Sequence, residues 1–155
     1  MGVLTLKTTR FGEIAVDEER VYTFVDGLLG FPDVRQYALL DPPQPGPFQW
    51  MQAVESDWLA FLVCDPHPFF PDYRVAVRPE DLAPIQLAGV EHGLVLTIVT
   101  VTKAPEAVTA NLLGPLIFNV RGRLARQMVL TEGGYTTRHP LAPSAPASGS
   151  APGPG

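Results

Sequence analysis

The chain carries one cysteine, Cys64, in 155 residues, so no intrachain disulfide forms. That fits a reducing compartment. The thiol sits inside the apolar run Trp58-Leu-Ala-Phe-Leu-Val-Cys64, where a small buried hydrophobe is expected rather than a nucleophile. Long apolar runs are missing as well. The N-terminus, Met1-Gly-Val-Leu-Thr-Leu-Lys-Thr8, alternates and lacks the apolar stretch of a secretion signal. The most apolar segment, Leu94-Val-Leu-Thr-Ile-Val-Thr-Val101, is far short of the roughly 20 apolar residues of a membrane span. No membrane association and a cytoplasmic location are expected.

Catalytic vocabulary is equally thin. The only serines are Ser56, Ser144, Ser148 and Ser150, three of them near the C-terminus. No nucleophile elbow, P-loop or dinucleotide fingerprint occurs, and Gly27-Leu-Leu-Gly30 lacks the Lys-Ser/Thr that a phosphate loop needs. His67, His92 and His139 have no metal-ligand spacing and read as loop or turn residues. Acidic pairs such as Glu80-Asp81 read as a helix start, with nothing to hold two carboxylates across a cleft. No enzyme, metal or cofactor is expected.

Positive charge is scarce and uneven. Residues 1–106 hold 15 acidic and 7 basic groups, whereas residues 107–155 hold 1 and 4. An acidic body disfavours direct nucleic-acid binding and favours basic partners, although charge kept for solubility explains the same numbers. The Arg121/Arg123/Arg126 group has no aromatic-rich binding motif beside it and reads as a solvated hairpin.

What is present is strand signal. Runs rich in β-branched and aromatic residues alternate with Gly, Pro and Asp clusters. They predict strands at 3–8, 13–16, 21–24, 37–41, 48–54, 59–64, 74–77, 94–101, 116–120 and 124–130. The 94–101 run, apolar almost throughout, is expected to be covered on both faces. Arg121-Gly122-Arg123 predicts a hairpin turn with glycine supplying positive φ. Helix is expected only from Pro79 to near Gly89, limited by Pro84, with one further turn at 33–36. Many short strands with little helix argue an all-β sandwich or small barrel with one or two short helices. The domain is placed at 1–141. Residues 142–155, made only of Pro, Ala, Ser and Gly, are expected to be a disordered tail, because they bury too little apolar area to offset ordering.

The unusual segment is Asp65-Pro-His-Pro-Phe-Phe-Pro-Asp-Tyr73. Its prolines forbid a central strand. Such a loop either plugs the core or offers rigid aromatic anchors at a surface, and the residues alone leave both readings open.

That segment, with Thr9-Arg-Phe-Gly-Glu13, Gly27-Leu-Leu-Gly-Phe31, Ile98-Val-Thr-Val101, Thr109-Ala-Asn-Leu-Leu-Gly-Pro115 and Tyr135-Thr-Thr-Arg-His-Pro-Leu141, resembles the FliW family of flagellar assembly factors in order and spacing. The resemblance covers 1–141 and implies an all-β, mainly antiparallel, compact barrel-like fold with one or two short helices. It implies a protein antagonist that binds the translational repressor CsrA, relieving repression of flagellin synthesis, and that also binds flagellin. The alternative is a flagellin-specific chaperone with little or no CsrA binding. The chain itself is expected to be a monomer. Candidate partner-binding residues are Phe69, Phe70, Tyr73, Asn111 and Arg138; each also has a purely structural reading in the core, a turn or a C-terminal brace. The chain departs from the family pattern at Leu29, where a proline is usual, at His67-Pro68, where apolar residues are usual, and in the insert Asp41-Pro-Pro-Gln-Pro-Gly-Pro47.

Overall fold

The computed structural model describes residues 2–41, 46–103 and 106–141. The expected disorder of 142–155 and most of the proline-rich insert lie outside the described residues. Eleven strands form among those described: β1 (Val3–Thr8), β2 (Gly12–Asp17), β3 (Val21–Phe24), β4 (Gln36–Leu40), β5 (Phe48–Ala53), β6 (Ala60–Cys64), β7 (Leu94–Lys103), β8 (Glu106–Ala110), β9 (Leu116–Asn119), β10 (Leu124–Gln127) and β11 (His139–Pro140).

Nine of these form one sheet in the order β11-β8-β7-β6-β5-β4-β3-β10-β9, and β9 also pairs with β7. Strand β7 makes that closure possible through its length. One edge pairs with β6 over 97–99. Its other edge is divided, with β9 opposite 94–96 and β8 opposite 99–103. Strands β3, β4, β5, β6, β7, β9 and β10 therefore form a ring, closed on the far side by the parallel pairing of β3 with β10. Every other pairing is antiparallel. Mostly antiparallel, barrel-like β structure is what the family resemblance implies.

Alternation along β4 shows how the ring is filled. Tyr37 and Leu39 point into the interior with Phe24, Met51 and Phe118. Ala38 instead lies under the β1–β2 hairpin with Leu6 and Val16. Period-2 patterning explains both, since successive side chains face opposite sides of a sheet. Each large interior side chain contributes roughly 1.5–3 kcal/mol by burial. Phe24 meets Tyr37 and Phe118 edge-to-face at 5.4 and 5.5 Å, so the interior is packed with rings.

Several expectations are corrected. Residues 74–77 form no strand among the described residues; Val75 and Val77 pack against apolar clusters instead of joining a ladder. The last long strand ends at Gln127, not at 130. Residues 33–36 form no helical turn, because Phe24 N donates to Arg35 O at 2.7 Å and draws this stretch into β4. The helix α1 (Pro79–Leu82) is one turn, followed by a 3-10 turn over Ala83–Ile85, and Gln86 at φ 63 ends it before Gly89. Cover on both faces of β7 holds only to Val99; Thr100 to Lys103 are exposed where β7 and β8 run past β6. At the β9–β10 turn the positive φ belongs to Arg123, at 57°, and not to Gly122. Gly122 serves close approach instead, since a Cβ there would stand 3.1 Å from Asn119 Nδ2. Strand β8 escapes the sequence pattern because its alanines carry little β signal. Strand β11 escapes it because it is two residues with a proline, and it makes His139 a strand residue, not a loop one.

Candidate protein-binding surfaces

The 65–73 loop folds back on itself. Phe69 N and Phe70 N donate to Pro66 O at 3.0 and 2.8 Å, and Tyr73 N donates to Phe70 O at 3.0 Å. The aspartate at its start turns the chain by accepting from His67 N at 2.9 Å. Tyr73 is 4 % exposed, and its hydroxyl donates to Leu112 O at 2.6 Å. Its ring meets Tyr135 edge-to-face at 4.7 Å, and burial pushes its phenol pKa upward. Phe69 and Phe70 are half-buried. Phe69 lies 6.1 Å from Phe48, and Phe70 stands edge-on to His139 at 5.2 Å.

Thus Phe69, Phe70 and Tyr73 share one apolar cluster with Tyr135 and Leu141. Asn111, which precedes Leu112, is half-buried, and its Oδ1 accepts from Gly114 N at 2.9 Å, bracing the turn before β9. Arg138 is exposed and makes no ion pair among the described residues. The loop and the C-terminal segment therefore form one packed unit, with Tyr73 inside it and Phe69 and Phe70 at its margin.

A second region escapes the sequence reading. Phe31 N donates to Leu28 O at 2.8 Å, and Gly30 sits at φ 89, which makes 28–31 a tight turn of the type that requires positive φ at its third residue. Leu28 points into the barrel interior, while Leu29 is left 66 % exposed at the tip. Gly27, at φ 68, is obligatory here, because a Cβ would lie 2.6 Å from Pro32 O.

Trp58 opens the apolar run leading to Cys64, yet it lies outside β6 in the β5–β6 connection and is 64 % exposed. Its ring is 6.3 Å from Phe31, which is 5.7 Å from Phe61. Fully buried Gln52 holds this connection, its Nε2 donating to Ala53 O, Ser56 O and Asp57 O at 3.1, 3.2 and 3.3 Å. The signal that could have found Trp58 is its place immediately after Ser56-Asp57, a turn pair, where an aromatic tops a loop and not a strand interior.

Among the described residues, the groups singled out for chemistry do not converge. Cys64 is buried, with its thiol pKa raised mainly by burial and its sulfur 3.7 Å from Thr97 Oγ1. Asp65 and His67 line a shallow cleft of about 430 Å³, but Asn111 does not. The arginine cluster is partly spent inside the protein. Arg126 pairs with Asp26 at 2.8 Å and donates to Asp81 O, and Arg123 donates to Glu18 O. Among the described residues no group of three metal-type ligands occurs, and no helix is long and apolar enough to cross a membrane.

Comparison with known proteins gives a consistent result. The family model described as FliW protein matches residues 5–141. A flagellar assembly factor FliW of Natranaerobius thermophilus is 42 % identical over 139 residues, covering 89 % of this chain and 92 % of that protein. Its counterpart in Geobacter sulfurreducens is 40 % identical over 138 residues, covering 89 % and 86 %. A crystal structure of the flagellar assembly factor FliW superposes with a TM-score of 0.82 at 31 % identity, covering 91 % of this chain and 99 % of the other.

Proposed function

The chain belongs to the FliW family of flagellar assembly factors, and from that premise we propose that it works in the cytoplasm by occupying protein partners. In this reading it binds the translational repressor CsrA, relieving repression of flagellin synthesis, and it also binds flagellin. Free flagellin then competes for the factor and leaves the repressor active. The family match over residues 5–141 carries the proposal.

Physical features of the chain support it. The barrel interior is filled by Phe24, Tyr37, Met51 and Phe118, all fully buried, so recognition falls to outer surfaces. One candidate surface is the margin of the 65–73 unit, where Phe69, Phe70 and Arg138 offer contacts, Tyr73 is buried behind them and Asn111 braces the turn before β9. The acidic 1–106 region suits encounter with the basic surface of an RNA-binding protein.

Co-purification of the intact chain with CsrA and with flagellin, each tested alone, checks the proposal. Capture of both is the expected result. Capture of flagellin alone would leave only a chaperone role, and capture of neither would remove the proposal.

A further inference from the structure

We propose that the surface formed by Leu29, Phe31 and Trp58 is the docking site for the basic partner, engaging a segment that couples a large apolar side chain with lysine or arginine. This rests on the functional reading above and adds to it a place on the molecule.

Three observations lead there. The first is cost: Leu29 and Trp58 are among the most exposed large hydrophobic side chains of the described residues, at 66 % and 64 %. Trp is also the residue most often found to dominate binding energy at interfaces.

The second is rigidity. Trp58 is carried by a connection whose carbonyls are fixed by buried Gln52, and Asp57 O additionally accepts from Thr9 N at 2.8 Å. Leu29 is carried by a turn fixed at Gly27 and Gly30, with Leu29 N bound to Gln127 Oε1 at 2.9 Å. Behind them, Phe31 and Phe61 lead to Tyr37 at 6.1 Å, inside the barrel. An exposed tryptophan held this way loses little conformational freedom on binding, so its buried area is converted to affinity with small entropic loss.

The third is charge, which selects the partner. Asp57 precedes Trp58, Asp33 follows Phe31 by two residues, and Glu55 Oε1 accepts from Arg35 N and Gln36 N at 2.8 and 2.9 Å between them. None of Asp33, Glu55 and Asp57 has an ion-pair partner among the described residues. The one cation within this stretch, Arg35, is directed to Val25 O at 3.0 Å. Three unneutralised carboxylates beside an apolar anchor complement a cationic, partly apolar surface and repel an acidic one. The margin of the 65–73 unit has a different character, with exposed Arg74 and Arg138 beside Asp65 and Asp72. Charge therefore assigns the Trp58 surface to the basic, RNA-binding partner and leaves flagellin elsewhere.

Isothermal titration of purified CsrA and of flagellin into the wild-type chain, Trp58→Ala and the double variant Asp33→Lys/Asp57→Lys tests this. Trp58→Ala is expected to weaken CsrA binding by about tenfold or more, with flagellin binding changed by less than about threefold. The double variant is expected to weaken CsrA binding and to flatten its salt dependence. Both substitutions are at exposed positions, and thermal melts confirm folding; should one variant fail to fold, the other carries the test. Wild-type binding of CsrA with both variants unchanged overturns the docking site alone. Equal loss for both partners, or loss for flagellin only, overturns the assignment by charge. Failure of the wild type to bind CsrA overturns the functional reading and this inference with it.

Discussion

The amide of Leu29 donates to Gln127 Oε1 at 2.9 Å, joining a surface turn to the end of β10 across 98 residues of sequence. Gln127 Nε2 in turn donates to Gly114 O at 3.0 Å, so one side chain ties three segments together. A proline at position 29 would have no amide to give. The leucine supplies a tether where proline supplies stiffness.

Leu29→Pro therefore trades one for the other. Pre-setting φ at the second residue of such a turn stabilises by about 0.4–1 kcal/mol. Loss of a partly exposed hydrogen bond costs roughly 0.5–1.5 kcal/mol. The expected net change in urea-unfolding free energy is within about 1 kcal/mol of zero. Gln127→Ala in the same assay is expected to destabilise more, because it releases Gly114 O as well. A Leu29→Pro loss larger than that of Gln127→Ala would show that the tether is not what position 29 contributes.

Tyr37 and Tyr73 predict opposite responses to the same substitution. Tyr37 Oη is buried without a hydrogen-bond partner among the described residues, so Tyr37→Phe removes an uncompensated polar group. Unchanged or raised stability, by up to about 1 kcal/mol, is expected. Tyr73→Phe instead deprives Leu112 O of a 2.6 Å donor in a buried site and is expected to cost roughly 1–3 kcal/mol. Denaturant midpoints of the two variants, measured side by side, decide whether their order is as stated.

Alkaline pH gives a second readout of Tyr37. Burial, with a smaller contribution from Glu55, pushes its phenol from 10.0 up to about 12. A group raised in the folded state lets the unfolded chain ionise first. Its contribution is intact below pH 10.0 and is lost as pH rises to about 12. Tyr37→Phe should therefore lose stability less steeply than wild type across that window. Parallel curves would remove Tyr37 from the account.

Gln52→Met keeps volume while withdrawing the donor that holds Ala53 O, Ser56 O and Asp57 O. A destabilisation of roughly 1–3 kcal/mol is expected. Hydrogen exchange should accelerate at Leu59, whose amide closes this connection on Ser56 O. Unaltered exchange there would mean that the connection is held by its backbone alone.

Phe70→Ala separates packing from contact at the 65–73 unit. A fully buried phenylalanine typically costs about 3–5 kcal/mol on truncation. Phe70 is half-buried against His139, so a smaller loss with a folded product is expected. Pull-down of flagellin and of CsrA by the folded variant then reports whether this margin touches either partner.

Much of the fold is legible in residue order. The alternation in β1 and β3 and the apolar run of β7 announce strands, because burial on one or two faces of a sheet leaves period-2 or continuous apolar signatures. The aromatic-proline segment, the family resemblance and the burial of Cys64 as a small hydrophobe are likewise carried by the order of residues. Where local chemistry competes with long-range partners, the sequence misleads. Residues 74–77 have strand composition but no partner among the described residues, and 33–36 has turn composition but is captured by Phe24.

Sequence alone thus determined a chain of many short strands with an acidic body, since composition and period are properties of the chain itself. Tertiary structure decided which aromatics are hidden. Tyr73 is buried because Leu112, far along the chain, offers its carbonyl, and Trp58 is left outside because the Gln52 brace ends the run before β6. Burial such as that of Tyr73 depends on a neighbour that arrives from elsewhere in the chain, and no local pattern encodes it.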